Sequence, residues 1–130
     1  MMSGTENAAL LLKALPDELT VCKIADEAAF SPLPDFCFLC RTDEELSLVC
    51  RTEDAPACTL AREDGWRAFR IEGTLDFALI GILAKLSAIL AAERIGIFAV
   101  STFNTDYILV RSGDFGWARD ALTAAGYGFV

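Results

Sequence analysis

With 130 residues, 54% of them hydrophobic and 23% charged, the chain suits one compact domain or two small packed modules rather than a disordered tail. Its net charge of −8 disfavours nucleic acid as a partner, because phosphate binding depends on clustered Lys and Arg. Histidine is absent, which removes the usual general base.

The charge is uneven: residues 1–64 hold 13 acids and 5 bases, whereas residues 65–130 hold 6 of each. This shift places an expected module boundary near Asp64-Gly65. A strand-rich module over 1–64 and a second module over 65–130 follow. Met1 to Ala14 lacks the basic start of a signal peptide, and Leu10-Leu11-Leu12 is too short for its apolar core. The longest apolar stretch, Phe77 to Ala92, is interrupted by Lys85 and Ser87 and falls short of the roughly 20 residues that span a bilayer. A cytoplasmic location with no membrane partner is expected.

In chain order, Leu10 to Leu15 suggests a helical turn ending before Pro16, and Leu19 to Ala25 a strand. Asp26 to Asp35 contains Pro32 and Pro34 and reads as loop. Phe36–Cys40 and Leu46–Arg51 are two β runs around Thr42-Asp43-Glu44-Glu45, the pattern of a hairpin with a polar turn. Cys58 to Ala61 is a possible short strand, and Asp64-Gly65 is a strong hairpin signal before the next one.

All five cysteines (Cys22, Cys37, Cys40, Cys50 and Cys58) precede that point. An odd number without a signal peptide argues against a disulfide framework. The Cys37-Phe38-Leu39-Cys40 spacing invites a zinc or redox reading, but residues three apart on a strand face opposite ways. The thiols are expected to be small buried hydrophobes, with no metal and no cofactor.

Trp66 to Ile71 intersperses apolar and basic residues, as a half-buried strand does, and Gly73-Thr74 breaks it. Thr74 or Asp76 can cap a following helix over about Leu75 to Glu93. There Leu79, Leu83, Leu86 and Leu90 share one face. Gly96–Val100 and Thr105–Arg111 read as strands. Asp114 is a plausible N-cap for a helix over Phe115–Ala125, with Gly126 just past its end and Tyr127–Val130 a closing strand. The order from Trp66 is therefore β-α-β-β-α-β, an α+β arrangement of the ferredoxin-like type. Trp66 and Trp117 are expected to serve packing or an interface.

Between the last two inner strands lies Ser101-Thr102-Phe103-Asn104-Thr105-Asp106, with five hydroxyl, amide or carboxylate side chains among apolar neighbours. Buried polar groups need partners. One solution is a hydrogen-bonded turn, with Asn104 and Asp106 bonding nearby backbone. The other is a bound ligand. A helix start at Gly73-Thr74-Leu75-Asp76-Phe77 has free N–H groups suited to a carboxylate, and Gly73 allows close approach. Asp106 could pair with an ammonium or guanidinium group, with Thr102, Asn104 and Thr105 completing the bonding. Asp76 would compete with an anion at the helix start or hold an amino group instead. Glu72 and Asp76 could form a carboxylate pair, yet no nucleophile, metal set or Gly-rich phosphate loop stands beside them, so no catalysis is expected.

Glu72-Gly73-Thr74-Leu75-Asp76-Phe77, then Gly81-Ile82-Leu83, Ile97-Phe98 and Ser101 to Val110 (STFNTDYILV), resemble the ACT-domain branch that contains the CASTOR arginine sensors and small bacterial relatives. The likeness covers roughly residues 65–130, and the first half resembles that branch's degenerate partner module. It implies two packed ACT-like modules, an amino-acid ligand at a module or subunit interface and a regulated protein partner. A homodimer is expected on the same ground. Ligand contacts are implied at Gly73, Thr74, Leu75, Asp76 and Phe77 and at Ser101, Thr102, Phe103, Asn104, Thr105 and Asp106. The expected function is a non-catalytic amino-acid sensor. The alternative is a ligand-free interaction or oligomerisation module using exposed strand edges.

Overall fold

The computed structural model describes residues 10–72 and 81–130. Their elements are β1 (Leu11–Ala14), β2 (Leu19–Ile24), β3 (Cys37–Arg41), β4 (Leu46–Arg51), β5 (Ala61–Glu72), α1 (Ile82–Ala92), β6 (Phe98–Ser101), β7 (Asp106–Arg111), α2 (Phe115–Ala124) and β8 (Gly128–Phe129). By contact they form two compact units. The larger joins the residues up to Leu15 with Arg67–Val130, and the smaller is Pro16–Trp66. Strand β5 passes from one to the other.

In the larger unit the order β5-α1-β6-β7-α2-β8 is the expected ferredoxin-like βαββαβ. β6 pairs antiparallel with β7, and β7 pairs with β5. One strand is unexpected. Leu11–Ala14, read above as a helical turn, is β1, and it lies between β5 (antiparallel) and β8 (parallel). The sheet order is thus β8-β1-β5-β7-β6. A run of three leucines fits either period, and burial decides: Leu10 and Leu12 are buried while Leu11 and Lys13 are exposed, the two-residue alternation of a strand.

Both helices cover one face of this sheet. Leu12, Phe69, Ile71, Ile108 and Val110 point to that face and pack with Ile82, Leu86 and Leu90 of α1 and Phe115, Ala118 and Leu122 of α2. Phe69 stacks on Phe115 with centroids 4.6 Å apart. Of the expected leucine stripe, Leu86 and Leu90 are fully buried and Leu83 packs at the margin, while Leu79 lies outside the described residues. The same is true of the proposed caps Thr74 and Asp76. At Gly81 the backbone is left-handed (φ 85°), so the observed helix opens at Ile82 and does not run continuously through from Leu75. Asp114 is not the side-chain cap expected: it makes no capping hydrogen bond, and a single 3₁₀ turn, Ser112–Asp114, leads into α2. Trp66 is buried, whereas Trp117 is half exposed and donates from Nε1 to Glu93 Oε1 at 2.9 Å.

The smaller unit has the strand order β3-β4-β2-β5 and, among the described residues, one-turn 3₁₀ segments in place of helices. Its core is Cys22, Ile24, Phe30, Leu46, Leu48 and Cys50. The Asp64-Gly65 hairpin is absent, because β5 runs straight through it. Leu19 and Val21 of β2 face Trp66 and Glu63, so three steps of β5 match two of β2. Gly65, at φ 84°, takes up the extra residue. An Asp-Gly pair with left-handed glycine serves a bulge as readily as a turn. Neighbouring Asp64 and Arg62 form an ion pair at 2.9 Å. The fully buried Thr20 hydroxyl lies 2.7 Å from Asp64 Oδ1 and 2.9 Å from Thr52 Oγ1.

The two units repeat one local pattern at a spacing of sixty residues. Phe38, Thr42, Leu48, Arg51, Thr52 and Asp54 correspond to Phe98, Thr102, Ile108, Arg111, Ser112 and Asp114. Each set builds a hairpin closed by Thr42 N–H to Glu45 O (2.9 Å) or Thr102 N–H to Thr105 O (2.8 Å). Each hairpin then runs into a 3₁₀ turn after an arginine with φ near −60° and ψ 142°. What the smaller unit lacks is the helical segment between its first two strands, where the one-turn Glu27–Phe30 stands instead.

Candidate functional site

The polar hexad forms the tip of the β6–β7 hairpin, with Ser101 directly opposite Asp106. Thr102 closes the turn twice, through its N–H (2.8 Å) and its hydroxyl (3.1 Å), both donating to Thr105 O. Thr105 turns the other way, and its hydroxyl donates to Ile71 O at 2.7 Å, tying the tip to the end of β5. Phe103 is wholly exposed, and Ser101, Thr102 and Asn104 also face solvent. The cluster is therefore an exposed turn and not a buried polar patch between two buried strands.

Beside this tip is a cavity of about 280 Å³. Its described lining is Arg70, Ile71 and Glu72 from β5 and Thr102, Asn104, Thr105 and Tyr107 from the hairpin. Of the sequence-expected contacts, Thr102, Asn104 and Thr105 meet here, while Ser101, Phe103 and Asp106 are not among the described lining residues. Gly73, Thr74, Leu75, Asp76 and Phe77 lie outside the described residues. Glu72, which immediately precedes them, is in the wall.

The charged pair in this wall is the feature that sequence reasoning missed. Arg70 Nε bonds Glu72 Oε2 at 2.6 Å, and the guanidinium sits 5.9 Å from the Tyr107 ring centre. Hydrogen bonds to Glu72 and then to Tyr107 raise the arginine's pKa and hold it charged. The two side chains stay 27% and 30% exposed, so the pair adds only about 0–1 kcal/mol to stability and both charges remain within reach of a ligand. The signal was present in β5: Ile71 is buried in the core, so Arg70 and Glu72, two residues apart, must share the opposite face. A cation, an anion, three hydroxyls and an amide around a small cavity can satisfy both ends of a zwitterion.

A second cavity, of about 430 Å³, occupies the corresponding place in the smaller unit. It is lined by Lys23 and Ile24 at the end of β2 and by Arg41 to Leu46 around the β3–β4 turn, with Ala25 and Leu60. Its acids are Asp43, Glu44 and Glu45, so it is the more strongly charged of the two. No described group of three or more His, Cys, Asp or Glu side chains is placed to hold a metal ion. No helix of the described residues is long and apolar enough to cross a membrane.

The family model described as ACT domain matches residues 61–124, which run from the start of β5 to the end of α2. The protein Atu0741 from Agobacterium tumefaciens is 33% identical over 93% of this chain and 92% of its own, with a TM-score of 0.83. The ligand-free regulatory subunit of aspartate kinase from Thermus thermophilus shares the fold at 10% identity, over 88% of this chain and 96% of its own, with a TM-score of 0.61. Aspartokinase III of E. coli, solved with aspartate and ADP, does so at 12% identity over 89% of this chain and 32% of that enzyme, also with a TM-score of 0.61. Among curated proteins no match was found. The sequence match falls on the ferredoxin-like unit that carries the Arg70–Glu72 cavity, and the chain belongs to the ACT-domain family.

Proposed function

We propose that this protein is a non-catalytic regulatory domain that binds a small amino acid in the cavity between the end of β5 and the β6–β7 turn. The carrying observation is the Arg70–Glu72 pair facing Thr102, Asn104 and Thr105 across about 280 Å³. That volume lies at the small end for ligand pockets and suits a metabolite of amino-acid size. The guanidinium takes the α-carboxylate, Glu72 takes the ammonium, and the hairpin side chains read what remains. Residues Gly73 to Phe77 continue directly from Glu72 and would supply further contacts. Asp106 alternates with Tyr107 along β7 and so shares the face of Ile108 and Val110; it would meet a basic ligand side chain only if the ligand reached round the turn to that face. The likeness of STFNTDYILV to the CASTOR-like branch, and the fold shared with the regulatory subunit of an aspartate kinase, support the same reading.

A thermal-shift screen of the twenty amino acids at millimolar concentration tests it. A ligand present at 100 times its Kd stabilises the fold by about 2.7 kcal/mol. The shift is expected to vanish in Arg70→Gln and in Glu72→Gln and to persist in Phe103→Ser, whose side chain stands clear of the cavity. Loss in Asp106→Ala would add that residue to the site. No shift with any amino acid, on protein shown to be folded, overturns the proposal.

A specific observation favours a second reading, a self-associating module. Among the described strands β6 pairs only with β7, which leaves one edge open, and the wholly exposed Phe103 lies just beyond its end. Light scattering on the eluting protein decides this. A dimer that dissociates when Ala99, mid-strand in β6, is replaced by Pro supports edge pairing, and a strict monomer rejects it.

A further inference from the structure

Cys22, Cys37 and Cys50 belong to one packed cluster in the smaller unit, although they come from three strands. Cys37 of β3 stands directly opposite Cys50 of β4, and Cys50 in turn opposes Thr20 of β2. Cys22 is opposite Leu48.

The hydrogen bonding identifies what kind of pair Cys37 and Cys50 make. At the turn, Thr42 N–H donates to Glu45 O, so residues 42 and 45 are a hydrogen-bonded pair. Pairs alternate along an antiparallel ladder, and five steps back Cys37/Cys50 is therefore a non-hydrogen-bonded pair. The other edge of β4 agrees independently. Thr52 N–H donates to Glu18 O, which makes Cys50/Thr20, two steps on, a hydrogen-bonded pair and turns the Cys50 backbone towards β2.

Non-hydrogen-bonded partners have Cα atoms about 4.5 Å apart, inside the range of about 4.4–6.8 Å seen in disulfides. Their Cβ atoms are also the closer of the two kinds, so bonding would draw the strands together by less than about 1 Å. Cys22 lies diagonal to Cys50, at about 7–8 Å, and is too far. Cys40 is opposite Ser47 and exposed, and Cys58 is exposed outside any strand.

We propose that Cys37 and Cys50 are a dithiol–disulfide couple that closes across the β3–β4 hairpin and makes this hairpin redox-sensitive. A low-molecular-weight disulfide such as glutathione disulfide is the oxidant. The Cys37 thiolate attacks one of its sulfurs, forming a mixed disulfide and expelling one glutathione thiolate. Cys50 then loses its proton to solvent, and its sulfur attacks Cys37 Sγ and displaces the second glutathione. Two electrons leave the protein and two reduced thiols are released. Cys37 is the point of entry because it is half-buried at the edge of the sheet, whereas Cys50 is fully buried. Burial raises both thiols, Cys50 to about 12, so the exchange is slow and suits a poised couple more than a catalytic cysteine. The bond would span the hairpin that carries the Asp43–Glu45 cavity wall, holding one arrangement of that turn.

The test incubates the intact protein with glutathione disulfide and reduced glutathione at a series of ratios and then alkylates the remaining thiols. The expected product has lost two hydrogen atoms, retains three alkylatable cysteines and gives one cross-linked peptide joining Cys37 to Cys50. Its Tm should rise by a few degrees and return on reduction. Cys37→Ser should give no internal bond, and Cys50→Ala should stop at the mixed disulfide on Cys37. Glutathione found only on Cys40 or Cys58, or a cross-link between any other pair, overturns the proposal.

Discussion

The two hairpins sixty residues apart are the same device put to different chemical use. Thr42 accepts from Glu44 N–H and Glu45 N–H at its hydroxyl, both at 3.1 Å, besides donating its own N–H to Glu45 O. Thr102 only donates, to Thr105 O. The first turn is knotted by its own side chain and presents three carboxylates. The second spends a side chain outward, with Thr105 reaching Ile71 O. A basic residue stands near the end of β2 (Lys23) and of β5 (Arg70), but only Arg70 is paired with a carboxylate two residues on. Cavity position is thus a property of the repeated hairpin, and cavity charge a property of the few residues decorating it.

The comparison can be broken most forcefully in the cores. Phe69→Ala removes a ring that is fully buried and stacked on Phe115, and should cost about 3–5 kcal/mol in urea unfolding. Leu48→Ala, in the smaller and helix-poor core, should cost about 2–4 kcal/mol. A larger loss at Leu48 than at Phe69 would contradict the ranking of the two cores.

Gly65→Ala probes the bulge that carries β5 between the units. A left-handed backbone penalises any Cβ, and a loss of about 1–2 kcal/mol is expected even though the added methyl meets open space. An unchanged urea midpoint would show that the bulge relaxes without strain.

The turns come next. Thr42→Ala should cost about 1 kcal/mol, since two N–H groups lose their acceptor, and Thr102→Ala about half as much. Equal losses would mean that the hairpins are equivalent after all.

The smallest effect is electrostatic. The Thr20 hydroxyl bond, followed by the Arg62 bond, lowers the Asp64 pKa below the ordinary carboxylate value. A depressed native pKa contributes stability that is complete above about pH 4 and is lost as the pH falls through the native value. Asp64→Asn should therefore narrow the difference between urea midpoints at pH 5 and pH 3, though slightly, because the carboxylate is exposed. An unaltered difference would show that Asp64 titrates normally.

Local physics made much of this protein legible in its amino-acid order. The β4 and β7 runs, the α2 helix and Gly126 past its end follow from hydrophobic period and backbone preference, which act within a few residues. The ferredoxin-like order follows from the same signals. Three features depended on partners distant in sequence. Leu11–Ala14 is a strand because β5 and β8 present free edges on either side of it, and no three-leucine run can encode that alone. Gly65 sits in a bulge because β2 offers two residues against three. Arg70 and Glu72 became the charged wall of a cavity only when Thr105 fastened the β6–β7 turn to the end of β5. The sequence names the hydrogen-bonding groups, but what they face is set by strand pairing, whose register depends on residues tens of positions apart.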